Sequence, residues 1–258
     1  MKNNLPDLIS LMAKLRGPDG CLWDRKQTTE SLKPFLVEEC YEVIDALDEG
    51  VPNKIKEELG DLLFQIIFHA RIAEEQGRFT MNDVITANVE KMTRRHPHVF
   101  GDAKLSTDKE VLSNWEEIKK KEKGYEDRKS ILEGIPRHLP SLLRAHNIQE
   151  RAARVGFDWS RLDDALPKLD EEIAEFKESL KQEDAAGIEE ELGDLFFTLV
   201  NISRFLGVNP EDALRKTISK FIRRFRFIEE HAAEAGKTLN EMTLDEMEEL
   251  WQESKTKE

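Results

Sequence analysis

A chain of 258 residues with 53 acidic and 39 basic side chains carries a formal charge of −14. That balance disfavours nucleic-acid and anionic-membrane partners, which need a net basic face. Two cysteines, Cys21 and Cys40, are too few for a disulfide framework or a structural zinc site and suit a reducing cytoplasm. The longest apolar stretches, near 62–68 and 195–200, fall short of a membrane span.

Thirteen Gly and nine Pro between long periodic segments indicate a mostly helical fold. Leu8, Ile9, Leu11, Met12 and Leu15 predict a helix over 5–16, stopped by Gly17-Pro18-Asp19-Gly20. After Cys21-Leu22-Trp23-Asp24, Thr28 or Thr29 caps a helix with Pro34 in its first turn. Phe35, Leu36, Cys40, Val43, Ile44 and Leu47 face inward on it, and Gly50-Val51-Pro52-Asn53 ends it. Cys40 reads as a small core-side residue. The next helix runs from about Lys54 to Gln76, with His69 read as a buried, satisfied histidine. A third starts near Asn82-Asp83, carries Val84, Ile85, Val89 and Met92, and ends at His96-Pro97-His98. A further helix beginning near Ser113 or Asn114 holds Trp115 and Lys119, in a lysine run read as a partly solvated face. Helical period is lost over 124–140, the expected connector between domains at 1–123 and 141–258. Beyond it come an amphipathic helix over 141–154, Gly156-Phe157-Asp158-Trp159, two acidic helices separated by a turn at Gly187, and a basic helix.

Glu38 and Glu39 lie four and three residues before Glu42, so they share its helix face; Glu58 and Asp61 share a face of the next helix. Like charges one turn apart destabilise a helix by about 0.2–0.5 kcal/mol per pair, and more beside a core. A hard divalent cation removes that penalty, and carboxylates are its preferred ligands. One such set would more often be a solvated face. Here Glu171, Glu172, Glu175, Glu191 and Asp194 repeat the pattern, all at an offset of 133. Surface acids tolerate drift; a site does not. Lys91, Arg94 and Arg95 recur as Lys220, Arg223 and Arg224 at 129, and Trp115 and Lys119 as Trp251 and Lys255 at 136, with the slips placed in turns. The repeat gives an all-α fold of two tandem helical bundles, each with about four helices.

Acids on one side and Lys/Arg on the other suit a polyphosphate bridged by divalent metal. Glu39, Glu42, Glu58 and Asp61, and Glu172, Glu175, Glu191 and Asp194, are the candidate metal ligands. Glu38 and Glu171 are placed to complete each cage or to orient the attacking water. Lys54, one turn before Glu58, is available for a phosphate; its counterpart is the uncharged Gly187, which tilts phosphate binding toward the first copy. Lys91, Arg94, Arg95 and Lys119, with Lys220, Arg223, Arg224 and Lys255, are the other phosphate candidates, and Glu190 joins the second nucleotide set. Trp115 and Trp251 are evenly divided between packing and base stacking.

Glu-Glu-x-x-Glu followed by Glu-x-x-Asp in both halves, with Gly20-Cys21-Leu22-Trp23-Asp24, Gln27-Thr28, the run from Arg94 to Phe100 and the run from Val155 to Trp159, resembles the MazG family of nucleoside triphosphate pyrophosphohydrolases over essentially the whole chain. The resemblance implies hydrolysis of ribo- and deoxyribonucleoside triphosphates at the α–β phosphoanhydride to monophosphate and pyrophosphate. It also implies Mg²⁺ dependence (with Mn²⁺ as substitute), a homodimer and a role in cleaning the nucleotide pool. Leu22 stands where the family usually has Pro, and Thr29 where it often has His; neither is a ligand candidate. Dimerisation is expected also because ridges such as 62–68 need cover. Two rivals remain: a di-iron carboxylate bundle, disfavoured because no His has Glu three residues before it, and a non-catalytic interaction protein with an acidic surface.

Overall fold

The computed structural model describes residues 4–122 and 129–257, so Lys123 and positions 124–128 of the expected connector lie outside the described residues. The chain divides into two compact units, Met1–Glu126 and Asp127–Glu258. Among the described residues both are helical and neither contains a strand.

The first unit begins with α1 (Leu5–Leu15), started by an Asn4–Asp7 capping box with Leu5-Pro6 in its first turn. The chain then folds back on the end of α1: Cys21 N–H donates to the Leu15 carbonyl. A Cβ at Gly20 would lie 2.1 Å from that same oxygen, so only glycine fits. After the short α2 (Leu22–Lys26), Thr28 caps α3 (Thr29–Glu49), with Ser31 returning the bond. Gly50, at φ 68°, closes α3 in the left-handed region, and Pro52 opens α4 (Pro52–Glu75). So short a connection makes α3 and α4 an antiparallel hairpin. Met12, Leu32, Ile67, Phe68 and Ile72 form the buried core, with Leu63 and Phe64 packed against it. Arg16 fastens the layers. It donates to both Glu75 carboxylate oxygens and to the Asp24 and Gln27 carbonyls, and its guanidinium lies over the Phe68 ring.

From the hairpin the chain continues through α5 (Met81–Arg95), the single turn α6 (Pro97–Phe100) and α7 (Asp108–Lys120). α7 starts earlier than its apolar period suggests, because Thr107 and Glu110 form a capping box. Trp115 packs edge-on to His96 and under the Arg95 guanidinium. Glu122 then accepts from Arg95 Nε and Nη2 and from Arg94 Nη2, at 2.5–3.1 Å. The two guanidinium groups hold its carboxyl down at about 2.

The second unit repeats the plan with α8 (Ser141–Ala153), α9 (Leu162–Lys181), α10 (Ala185–Phe205), α11 (Pro210–Glu234), a 3₁₀ turn at Leu239–Glu241 and α12 (Leu244–Thr256). α9 and α10 form its hairpin, α8 lies on α10 and α11, and α12 lies on α11. Arg151 donates to the Ile131 and Glu133 carbonyls, binding part of the expected connector to α8. Arg204 pairs with Asp158 at 2.5 Å, tying α10 to the segment after α8.

Several apolar expectations do not hold. Cys40 is exposed, as are Phe35, Leu47, Ile85 and Val89, because each neighbouring helix covers only one stripe. His69 is half-buried with Nε2 unpartnered, and burial lowers its pKa. The 62–68 ridge is largely internal, so it is not what needs cover; Leu59, Leu192, Phe196 and Phe221 are among the apolar side chains left open.

Glu122→Gln removes a carboxylate bound by two arginines and is expected to destabilise the first unit by about 1–3 kcal/mol, read as a lower melting temperature. Because the folded pKa of Glu122 is depressed, its contribution is present above about pH 4.5 and fades as pH falls toward 2. The wild-type advantage over the variant should therefore close across that window.

Candidate metal and phosphate site

On α4, Glu58, Asp61, Gln65, Phe68 and Ile72 follow one another at helical spacing, so one stripe carries acids at one end and core at the other. The hairpin sets Glu39 of α3 against the acidic end. Carboxylate oxygens of Glu39, Glu58 and Asp61 all lie within 4.8 Å of one another, close enough for one divalent ion. Buried Gln65 donates to Glu39 Oε1 at 3.4 Å, while its own Oε1 has no partner.

Burial, then the charges of Glu42 and Asp61, raises the Glu39 pKa. Burial, then Glu42, Glu57 and Asp61, raises that of Glu58. Glu42 thus lies near enough to act on both Glu39 and Glu58 without joining the 4.8 Å group, and exposed Glu38 stands outside it. Lys54, expected to be open for phosphate, is instead bonded to Glu49 at 2.7 Å, which raises its pKa.

In the second unit the close group is Glu172, Glu175 and Glu191. Burial, then Glu175, Glu172, Asp194 and Glu190, raises the Glu191 pKa. Asp194 and Glu190 therefore act on the cluster from its edge. Glu172 is buried, and Lys168 explains how: its ammonium meets Glu171 and Glu172, each at 2.8 Å, and is held well above the ordinary lysine range. Lys168 escaped the sequence reading because its counterpart at the 133 offset is Phe35. The available signal was its place three and four residues before Glu171 and Glu172.

Arg94 and Arg95 are engaged by Glu122. Arg223 and Arg224 line a groove of about 780 Å³ between α11 and α12 with Arg226 and Lys257. Arg224 lies over Trp251, as Arg95 lies over Trp115, and Trp251 also meets Phe221 at 5.1 Å. Both tryptophans are packed against an arginine. Lys119 bonds Glu116, and Lys255 bonds Gln252. Lys91 is half-buried and Lys220 exposed.

Two helical hairpins, each holding a carboxylate cluster with an arginine-bearing helix in the same unit, define a tandem all-α protein whose acid sets could each bind a divalent cation. The profile of the MazG nucleotide pyrophosphohydrolase domain matches residues 27–100 and 162–227, and the chain belongs to the MazG family. It is 49% identical over 249 residues (96% of this chain, 94% of the relative) to "Nucleoside triphosphate pyrophosphohydrolase/pyrophosphatase MazG" of Thermotoga maritima. It is 45% identical over 259 residues (99% and 98%) to "Nucleoside triphosphate pyrophosphohydrolase" of Escherichia coli K12. A crystal structure of a mazG-related protein from Thermotoga maritima covers 45% of this chain and all of its own, at 30% identity and a TM-score of 0.40.

The raised carboxyl pKa values carry a sign. A glutamate whose folded pKa lies above its unfolded value favours the fold at low pH and loses that contribution as pH rises through the folded value. At neutral pH the metal-free clusters therefore oppose folding, and Glu58→Gln and Glu191→Gln should each raise the metal-free melting temperature. Mg²⁺ or Mn²⁺ should raise that of wild type, by about 2.7 kcal/mol per site at a hundred times the dissociation constant. The two substitutions should shrink the rise.

Proposed function

We propose that this chain is a Mg²⁺-dependent nucleoside triphosphate pyrophosphohydrolase that cleaves ribo- and deoxyribonucleoside triphosphates between the α and β phosphates. The observation carrying this reading is the pair of three-carboxylate clusters, each within 4.8 Å, on hairpins whose unit also carries paired arginines. The names of the two full-length relatives support the reaction class.

The donor set fits a hard cation: three oxygen ligands converge, burial and then mutual repulsion raise the pKa of Glu39, Glu58 and Glu191, and Glu42 or Asp194 stands beside each group. A divalent ion there supplies charge neutralisation for the phosphates and acidifies water at neutral pH. Glu39, Glu42, Glu58 and Asp61 hold it in the first unit, and Glu172, Glu175, Glu191 and Asp194 in the second. Glu38 and Glu171, exposed beside each cluster, orient the attacking water and accept its proton. Arg94 and Arg95, or Arg223 and Arg224, with Lys91 or Lys220, bind the leaving pyrophosphate as charge builds on it. Trp115 and Trp251 keep one guanidinium of each pair in place. Lys168 neutralises Glu171 and Glu172 until a phosphate draws it away.

Function as a homodimer is part of this reading. Gly60 and Gly193 sit mid-helix at the 133 offset, where a Cβ would meet nothing within 4 Å. Glycine there costs about 1 kcal/mol against alanine with no packing reason among the described residues. Exposed Leu59, Leu192 and Phe196 border them, and a closely approaching partner helix accounts for both features. No described helix is long and apolar enough to cross a membrane. A cytoplasmic enzyme with neither a membrane nor a nucleic-acid partner is part of the same reading and rests on the −14 charge.

Pure protein with Mg²⁺ should release monophosphate and pyrophosphate from each triphosphate; release from none overturns the reaction class. In ¹⁸O-water the label should enter one product only, according to the bond attacked. Glu42→Ala and Glu175→Ala should separate the copies, with the working site losing about 100-fold or more in kcat, the scale of a lost charge-stabilising group. If neither substitution lowers turnover, the ligand assignment fails. Sedimentation should give twice the chain mass.

A further inference from the structure

In the first unit two helix ends meet over one carboxylate. Arg94 and Arg95 stand in the last turn of α5, and Glu122 lies two residues beyond the end of α7. Glu122 is seven residues, about two helical turns, after Trp115, so α7 brings its indole and this carboxylate to the same arginines. Arg95 Nε and Nη2 donate to different oxygens of Glu122, at 3.1 and 2.5 Å. This is the side-on fork that a guanidinium offers a phosphate. Arg94 Nη2 adds a third bond at 2.8 Å. The Arg95 side chain is only 15% exposed, with the Trp115 ring 5.2 Å from its guanidinium carbon, so its fork is held against Glu122. Arg94 is 54% exposed. It lines a cavity of about 460 Å³ together with Ile118, Lys121 and Glu122. An anion can therefore reach Arg94 and Lys121 while Glu122 is still seated.

We propose that Glu122 is a tethered plug in the phosphate site of the first unit: its carboxylate fills the Arg94–Arg95 fork in place of a polyphosphate and must leave before one binds. The proposal rests on the pyrophosphohydrolase reading for the ligand and on the fork for the inhibition. A carboxylate brings one negative charge and two oxygens. A pyrophosphate brings several of each, so it can exchange for Glu122 where a monoanion cannot. Leaving does not require α7 to unwind, because the Glu122 N–H bonds only the Lys119 carbonyl, in a turn past the last helical residue. A purely structural tie between α5 and α7 would look the same at rest. Both roles make a Glu122 variant less stable; only a plug makes it bind anions more tightly.

The Trp115 ring underlies Arg95, so its indole ¹⁵N–H resonance, assigned by its loss in Trp115→Phe, reports on the fork. Pyrophosphate is titrated into the full chain without metal. The dissociation constant read from this resonance should fall about tenfold to a hundredfold in Glu122→Gln, the scale of a charged hydrogen bond. Glu117→Gln removes the same charge from an exposed position on α7 and should change it by less than about twofold, because solvent screens that charge. Glu122→Asp keeps the charge but shortens its reach; it should tighten binding severalfold, and it decides if Glu122→Gln does not fold. An unchanged constant in the Glu122 variant, an equal gain in Glu117→Gln, or a Trp115 resonance that pyrophosphate never moves overturns the proposal. Triphosphate hydrolysis is measured on the same samples. Tighter pyrophosphate binding without turnover keeps the plug and removes the reaction class, and turnover with an unchanged constant does the opposite.

Discussion

The constraint behind each unit is electrostatic: carboxylates that repel one another are brought together at the contact between two antiparallel helices. Neither α3 with α4 nor α9 with α10 could hold that arrangement on local propensity. In the first unit the stripe that carries Glu58 and Asp61 continues into Phe68 and Ile72, buried against Met12 and Leu32. Burying such side chains is worth about 1.5–3 kcal/mol each, several times the repulsion between like charges one turn apart on a helix. The core holds the acids in a position they would not choose, and their raised pKa values record it.

The two units relieve the strain differently. The first gives Glu39 a neutral donor, the Gln65 amide at 3.4 Å. The second gives Glu171 and Glu172 a full positive charge from Lys168. A cation entering the first cluster displaces at most a weak hydrogen bond, whereas one entering the second competes with an ammonium. The first unit's arginines are held as well. Glu122 occupies both guanidinium groups of the first unit in the geometry a phosphate would use. Equal acid spacing therefore does not make the sites equal.

The acid clusters were legible because a helical repeat of 3.6 turns sequence spacing into shared faces, and because a constant offset of 133 is hard to maintain without a purpose. Helix order followed from the same period and from the turns at Gly17-Pro18 and Gly50; the turn expected at Gly187 lies instead at residues 182–184, with Gly187 in the first turn of α10. What escaped lies where one residue answers another across space. Lys168 has no counterpart in the first half to draw attention to it. Glu122 sits in a lysine-rich run that reads as solvated surface, yet its partners are 27 and 28 residues upstream. The start of α7 was missed because apolar periodicity begins after the Thr107–Glu110 cap that sets it. Exposure of Cys40, Phe35 and Leu47 could not be read at all: periodicity tells which residues share a face, not whether another helix covers it.

Duplication explains why such differences can accumulate. A single site must keep its acids, its supporting core and its ligand cavity on the same few turns of helix, so a change below the acids risks the fold. With two copies the acid spacing stays constant while the residues one and two turns farther along diverge: Gln65 and Phe68 in one, Thr198 and Asn201 in the other. In the first copy that stripe becomes packing, with Phe68 under the Arg16 guanidinium. In the second it becomes the wall of a cavity, and rigidity is recovered elsewhere through the Arg204–Asp158 pair and the Gln149 bond to the α10 backbone. Packing and open space thus compete for the same two helical turns, and each copy settles that competition in the opposite way.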